Sequence, residues 1–262
     1  MGNYAVREIE PWLYSICGPS SGCTMYLVVG DKRALLYDTG YGLAPLGPVI
    51  RQITDLEFDV VLGHGHHDHV NGACEFGEAW INERDKVLCM RHASRTARRR
   101  VLEREDIVLP EGLDVDDYVN GGAGNLRELD IGRIFDLSGL NVEVVAMEGH
   151  TAGSVGLLIK ERGVMLVGDA ATPLMYMCLD ESTGIAEYIG MLERTMELEF
   201  DKFFWGHEDR AYDKAQFFGK FVNAAKNICV EGADVFNGAN GVTGLLYREN
   251  GVAIIFREDK LV

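Results

Sequence analysis

Four of the chain's seven histidines fall within residues 64–69, in the run Gly63-His64-Gly65-His66-His67-Asp68-His69. A hydrophobic core has no use for adjacent imidazoles, because each buried ring nitrogen needs a partner. The run follows directly on a β-rich stretch at 58–62. A strand end there fixes the first side chain, and a tight loop turns His64, His66 and His69 inward with Asp68. Imidazole nitrogen and carboxylate oxygen are donors that Zn²⁺ accepts. The same donors also suit iron or manganese. His67 is the odd member, read as pointing away and held by a loop hydrogen bond.

One loop cannot close a two-metal site, so more donors must arrive from elsewhere. The β-rich run at 142–147 leads into Glu148-Gly149-His150, the run at 164–167 into Gly168-Asp169, and the run at 203–205 into Gly206-His207. A glycine precedes the polar residue each time, which suits close backbone approach to a crowded centre. Donors carried on several strand ends are also held more rigidly than donors on one loop.

The remainder reads as layered α/β. Short strands are expected at 12–15, 25–29 and Arg33–Tyr37, with turns at Ser20-Ser21-Gly22 and Gly30-Asp31. A weak helix is expected at 46–56, a basic helix at 91–105 and an irregular connection over 107–131. Strands return at Val155–Ile159, helices at 185–199 and 213–230, and a last hairpin joins 244–247 to Val252–Phe256. No linker forces a cut, so one domain over residues 1–262 is expected.

Lys plus Arg number 25 against 41 for Asp plus Glu, a formal charge of −16. That balance argues against nucleic acid and anionic membrane as partners, since both need concentrated positive charge. A small-molecule substrate, an anionic one included, is the expected partner, and an edge strand or helix face could serve a homodimer. No signal-type start or spanning apolar run is read, so a soluble cytoplasmic protein is expected. Met1-Gly2 lacks the Ser or Thr at position 6 that myristoylation wants, having Val6 instead. The six cysteines show no CxxC; Cys17 and Cys23 could pair across a short loop, but free thiols are the reading adopted.

Taken together, these motifs resemble the metallo-β-lactamase-fold hydrolase superfamily, nearer its glyoxalase II-like and lactonase-like members than true β-lactamases. The HxHxDH motif stands as His64 to His69, the glycine-histidine block as Gly149-His150-Thr151-Ala152-Gly153-Ser154, the Gly-Asp element as Gly168-Asp169, and the last histidine as His207. The resemblance implies a four-layer αββα sandwich with a metal site at the strand ends between two sheets. It implies one divalent ion, Zn first, on His64, His66 and His150, and another on Asp68, His69 and His207, with Asp169 bridging. Asp38, in Asp38-Thr39-Gly40, is expected to brace the metal loop. The implied reaction is cleavage of a small carboxylic ester, thioester or lactone by a metal-bridging hydroxide, with Asp68 orienting the nucleophile. Asp169 stands where the cysteine-type β-lactamases carry cysteine, which argues against antibiotic hydrolysis. A small-molecule phosphodiesterase, a mononuclear-iron sulfur dioxygenase and a noncatalytic metal-binding scaffold stay open as alternatives.

Substrate-side candidates are fewer. Arg91, Arg95, Arg98, Arg99, Arg100 and Arg104 crowd one expected helix. The cluster reads first as a solvated face balanced by the acidic surface, while Arg91, Arg95 and Arg98, which share a face by 3–4 spacing, could clamp a carboxylate or phosphate or serve a subunit contact. Tyr176 follows Asp169 by seven residues, a longer spacing than in lactonase-like relatives that use a tyrosine on the carbonyl or leaving oxygen. Trp205, with Leu174, Met175, Met177 and Leu179, could line an apolar pocket or pack the core.

Overall fold

The first strand of the chain, β1 (Ala5–Glu10), is one the sequence reading missed, since its side chains are mostly exposed and carry no apolar alternation. It pairs antiparallel with β2 (Leu13–Cys17), which pairs with β3 (Thr24–Val29), and that in turn with β4 (Arg33–Tyr37). The computed structural model describes residues 3–20, 22–238 and 241–261. Met1-Gly2 and Ser21 of the expected turn lie outside the described residues. The chain divides into two compact units, Met1–Val144 with Gly206–Asp209, and Val145–Trp205 with Arg210–Val262.

In the first unit, helix α1 (Gly47–Ile53) leads to β5 (Glu57–Val61), which lies parallel to β4. Parallel pairing continues to β6 (Ala79–Ile81) and β7 (Leu126–Glu128), giving the sheet order β1-β2-β3-β4-β5-β6-β7. Its core gathers Ile16, Met25, Leu27, Leu36, Ile50 and Leu62. The expected helix at 91–105 is two helices. Helix α2 (His67–Val70) follows β5, α3 (Glu83–His92) follows β6, and a new helix α4 (Arg95–Leu102) starts after Ser94. Ser94 Oγ accepts from Ala97 N at 3.3 Å; that side-chain acceptor caps a fresh helix rather than letting the old one run on. The stretch 107–131, expected to be irregular, holds α5 (Val115–Asn120), capped by Asp114, as well as β7. Both are too short for periodicity to reveal. A hairpin of β8 (Ile134–Asp136) and β9 (Asn141–Ala146) ends the unit.

In the second unit, β10 (Val155–Ile159) and β11 (Val164–Gly168) form a hairpin turned by Gly163 at φ 61°, and β13 (Lys202–Trp205) lies parallel to β11, with β14 (Tyr212–Asp213) beyond it. The residues 174–177, read as loop, form strand β12 (Leu174–Met177), parallel to β17 (Val252–Phe256). β15 (Asp234–Asn237) and β16 (Thr243–Glu249) complete the order β12-β17-β16-β15. Helices α6 (Ile185–Met196) and α7 (Lys214–Asn227) bury Tyr188, Met191, Phe218 and Phe221 against Met165, Met175, Met177 and Phe203. Met175 and Met177 therefore belong to the core, with Leu174 exposed.

Gly72, just after α2, tests how tightly the first unit holds that helix. A Cβ there would lie 2.2 Å from the Thr39 carbonyl oxygen, which is backbone and cannot swing aside. Gly72→Ala is expected to cost about 1–3 kcal/mol, measured by urea unfolding of the metal-free chain; a value indistinguishable from the parent would contradict this packing.

Candidate metal centre

In the first unit the donor loop begins where β5 leaves the sheet. Gly63 N donates to Asp38 Oδ1 and Gly65 N to Asp85 Oδ2, each at 2.7 Å. A Cβ on Gly65 would sit 2.8 Å from the Cys89 backbone nitrogen, so only glycine lets the loop lie this close to α3. His66 takes an extended conformation at the helix cap, and α2 then carries Asp68 and His69 in its first turn. His67, one helical step away, points elsewhere: its ring Nδ1 lies 3.4 Å from His92 Nδ1 and its Nε2 2.9 Å from Arg104 Nη1.

His69 is fixed from two sides. Its Nδ1 lies 2.8 Å from Asp38 Oδ2, and its carbonyl accepts from Thr39 N and Thr39 Oγ1, both at 2.8 Å. Asp38 adopts the left-handed region at φ 65°, where Asp is enriched among non-glycine residues. The Asp38 contact directs His69 Nε2 toward Asp68, 3.8 Å from its Oδ2. The same Asp68 oxygen lies 3.6 Å from His207 Nε2. His207 arrives on the 206–209 return segment, where Tyr26 Oη donates to the Glu208 carbonyl at 2.9 Å. Ligand atoms of Asp68, His69 and His207 lie within 4.8 Å of one another. His64 Nε2 and His66 Nδ1 approach to 2.9 Å, and the His64 and His69 ring centroids to 4.0 Å.

The second unit presents its own pair. His150 Nδ1 lies 3.0 Å from the Tyr176 carbonyl and Ser182 Oγ donates to the His150 carbonyl at 2.9 Å. That leaves Nε2 directed toward Asp169, 3.8 Å from Oδ2. Asp169 follows an irregularity in the ladder, where the register passes from Leu166 opposite Phe204 to Gly168 opposite Trp205, with Gly168 at φ 52°. A bulge of this kind re-aims the next side chain. Glu148 is held by Arg194 of α6.

The donors suit a divalent ion of borderline hardness: imidazole nitrogens and carboxylate oxygens. His69 and His150 each engage an acceptor through Nδ1, the outer contact that metal-binding imidazoles use to fix tautomer and ring orientation. Burial shapes the surroundings. It pushes the Cys23 thiol up to about 12, holds His67 below the usual imidazole value, and raises Tyr41 together with the charge of Asp68.

Residues 19–207 match the pattern described as "Metallo-beta-lactamase superfamily". The chain belongs to that superfamily. Among curated members, the "Hydroxyacylglutathione hydrolase GloC" of Haemophilus influenzae is 32% identical over 148 residues, 53% of this chain and 61% of that protein. The "Acyl-coenzyme A thioesterase MBLAC2" of Gallus gallus is 24% identical over 184 residues, 66% of each chain. The chain thus spans less than two thirds of the length of these relatives. A solved "Metallo-beta-lactamase from Pontibacter korlensis" covers 86% of this chain and 100% of its own, with a TM-score of 0.62 at 14% identity. That likeness shows the αββα metallo-β-lactamase fold.

Against this superfamily frame, the substrate-side expectations fare unevenly. Arg91 and Arg95 are exposed on α3 and α4. Arg98 is not available to a substrate: it is 0% exposed. Its guanidinium donates to the carbonyls of Ala93, Tyr118, Asn71 and Gly122 at 2.6–3.2 Å. Helical spacing put it beside Arg91 and Arg95, but α4 begins anew at Ser94 and turns it inward. The Tyr176 ring is half-buried and edge-on to Phe236 at 6.1 Å, its hydroxyl raised by burial and by Cys178 and Asp169. Trp205 is half-buried against the core of the second unit. Cys17 and Cys23 are both free. Sequence reasoning missed Asp85 and Tyr41. Asp85 had a signal in the Asn82-capped start of α3, whose Asn82 side chain accepts from Arg84 N at 3.1 Å; Tyr41 had none beyond its place after Asp38-Thr39-Gly40.

Proposed function

We propose that the protein is a metal-dependent hydrolase of a small carboxylic ester, thioester or lactone. The observation that carries this reading is the convergence of the Asp68, His69 and His207 donor atoms, with His69 already oriented by Asp38. Superfamily membership and the likeness to two relatives, a hydrolase and a thioesterase by name, support it. His64, His66 and His150 would hold one ion, Asp68, His69 and His207 the other, and Asp169 would serve both, within one metallo-β-lactamase domain. Zn²⁺ is the proposed metal. Such ions supply an acidified water at neutral pH and a Lewis acid for the carbonyl oxygen.

The chain's own part is positioning and proton handling. Asp68, with one oxygen near both His69 and His207, orients the attacking water and receives its proton. Asp38 and the Tyr176 carbonyl keep the imidazoles from turning. No helix among the described residues is long and apolar enough to cross a membrane. The free state of all six cysteines supports a reducing compartment such as the cytoplasm.

Elemental analysis of protein purified without a histidine tag, paired with thioesters, lactones and bis(p-nitrophenyl) phosphate, tests the reading. About two divalent ions per chain and preferred cleavage of a carboxylic substrate are expected, with loss of turnover on chelation and recovery on adding Zn²⁺. Faster phosphodiester cleavage would move the protein to the phosphodiesterases. One iron per chain with oxygen uptake on a persulfide would make it a dioxygenase, and turnover persisting in metal-free protein would overturn the mechanism.

A further inference from the structure

Arg104 differs from the other arginines of its segment. It follows α4 at the start of 104–110, and only 20% of its side chain is exposed. Its Nη1 lies 2.9 Å from His67 Nε2, on the residue between the donors His66 and Asp68. Its Cζ lies 5.8 Å from the centre of the Tyr41 ring, and that ring stands 5.5 Å from the His67 ring. Gly22 locates the group against the donor loop: a Cβ built there would meet the Tyr41 ring at 2.5 Å and Asp68 Cβ at 3.7 Å. The Asp68 charge acts on Arg104, Tyr41 and His67 alike.

The fork of the guanidinium already holds an anion. Nε donates to Asp106 Oδ1 at 2.9 Å and Nη2 to Asp106 Oδ2 at 2.6 Å, the two-point arrangement by which arginine recognises carboxylates and phosphates. Asp106 is two residues away in sequence and 44% exposed. It is a local partner that can swing into solvent, whereas His67 is anchored in α2. An ion pair this exposed contributes little to stability. It nevertheless keeps a cation beside the donor cluster of a chain carrying −16.

We propose that Arg104 is a specificity-determining residue that binds an anionic group of the substrate, a carboxylate or a phosphate, and that Asp106 occupies the fork until the substrate displaces it. The proposal rests on the hydrolase reading and narrows it to anionic substrates. His67 aims the fork, and Tyr41 walls it on the side toward Asp68.

The test uses the full-length, Zn²⁺-loaded protein and acetyl thioesters of three thiols: neutral 2-mercaptoethanol, 3-mercaptopropionate, and phosphopantetheine. The parent should prefer one or both anionic substrates. Arg104→Gln should erode the anionic-to-neutral ratio of kcat/KM by about 10–100-fold, chiefly through KM, with Arg104→Lys retaining part of it. Asp106→Asn should raise the ratio several-fold, because the competing internal carboxylate is gone. The anion with the larger effect identifies carboxylate or phosphate as the recognised group. A ratio unmoved in both variants, or one that Asp106→Asn lowers, overturns the proposal and leaves the pair as a loop tie. If none of these thioesters is turned over, calorimetric binding of the S-methyl thioethers of the same thiols decides the proposal: the parent should bind an anionic thioether at least about tenfold more tightly than the neutral one, and Arg104→Gln should remove that difference. The hydrolase reading itself fails only if carboxylic esters and lactones are left intact as well.

Discussion

Asp68→Ala is expected to leave a folded chain whose thioester or lactone hydrolysis falls by about 10²–10⁴-fold, the range typical of losing a positioned proton acceptor. The side chain is on the first turn of α2 and contributes no buried apolar area, so the fold has little reason to respond. Its Oδ2 is 3.8 Å from His69 Nε2 and 3.6 Å from His207 Nε2. Removing it therefore takes away the water-orienting oxygen and one donor together. Asp38→Ala makes the informative contrast. It strips the contact that orients His69 and the acceptor of Gly63 N–H at the start of the loop, but no ligand atom. Metal affinity should therefore fall about 10–100-fold, and excess Zn²⁺ should restore much of the activity. Excess metal should not rescue Asp68→Ala. Metal titration and steady-state kinetics on both variants separate the two roles, and equal rescue would show that Asp68 acts only as a ligand.

The donor cluster was legible because its chemistry is local. His64, His66, Asp68 and His69 lie in one short loop, and the distant donors each follow a β-rich run and a glycine, a pattern that needs no knowledge of packing. The strands that could be read, such as Arg33–Tyr37, Val155–Ile159 and Val252–Phe256, are apolar enough for burial to dictate them. What escaped reading depends on tertiary partners. β6 and β7 are three residues each and exist through their parallel neighbours. β12 follows Pro173 and looks like the turn-rich sequence around it, until β17 supplies its ladder. The arginine-rich segment was hardest, since charge and helical spacing predict a solvated face, whereas Arg98 faces inward and Arg104 reaches the donor loop only after the chain leaves α4.

Arg98 carries the largest stability prediction. Its guanidinium ties α4 to the Tyr118 carbonyl at the end of α5 at 3.1 Å, to the Gly122 carbonyl at 2.6 Å, and to the Asn71 carbonyl at 2.6 Å. The Tyr118 ring lies 5.0 Å from Cζ. Methionine would fill much of the volume but donate nothing, leaving buried carbonyls without these partners. A net hydrogen bond to a charged group contributes about 1.5–3 kcal/mol, and each acceptor left bare adds its own desolvation cost. Partial relaxation offsets some of this, so Arg98→Met should lose about 3–5 kcal/mol, on the order of 10 °C in Tm for a chain of this size. Arg99→Ala, one residue on and exposed, should stay within about 0.5 kcal/mol of the parent. Asn71 is the cap residue of α2, so the loss also loosens the helix bearing Asp68 and His69. Arg98→Met should therefore release metal more readily than the parent under mild chelation, well below its unfolding midpoint. Urea unfolding of the two variants, with metal retention measured alongside, checks both parts; Arg98→Met matching Arg99→Ala in stability would show that the buried guanidinium is dispensable to the first unit.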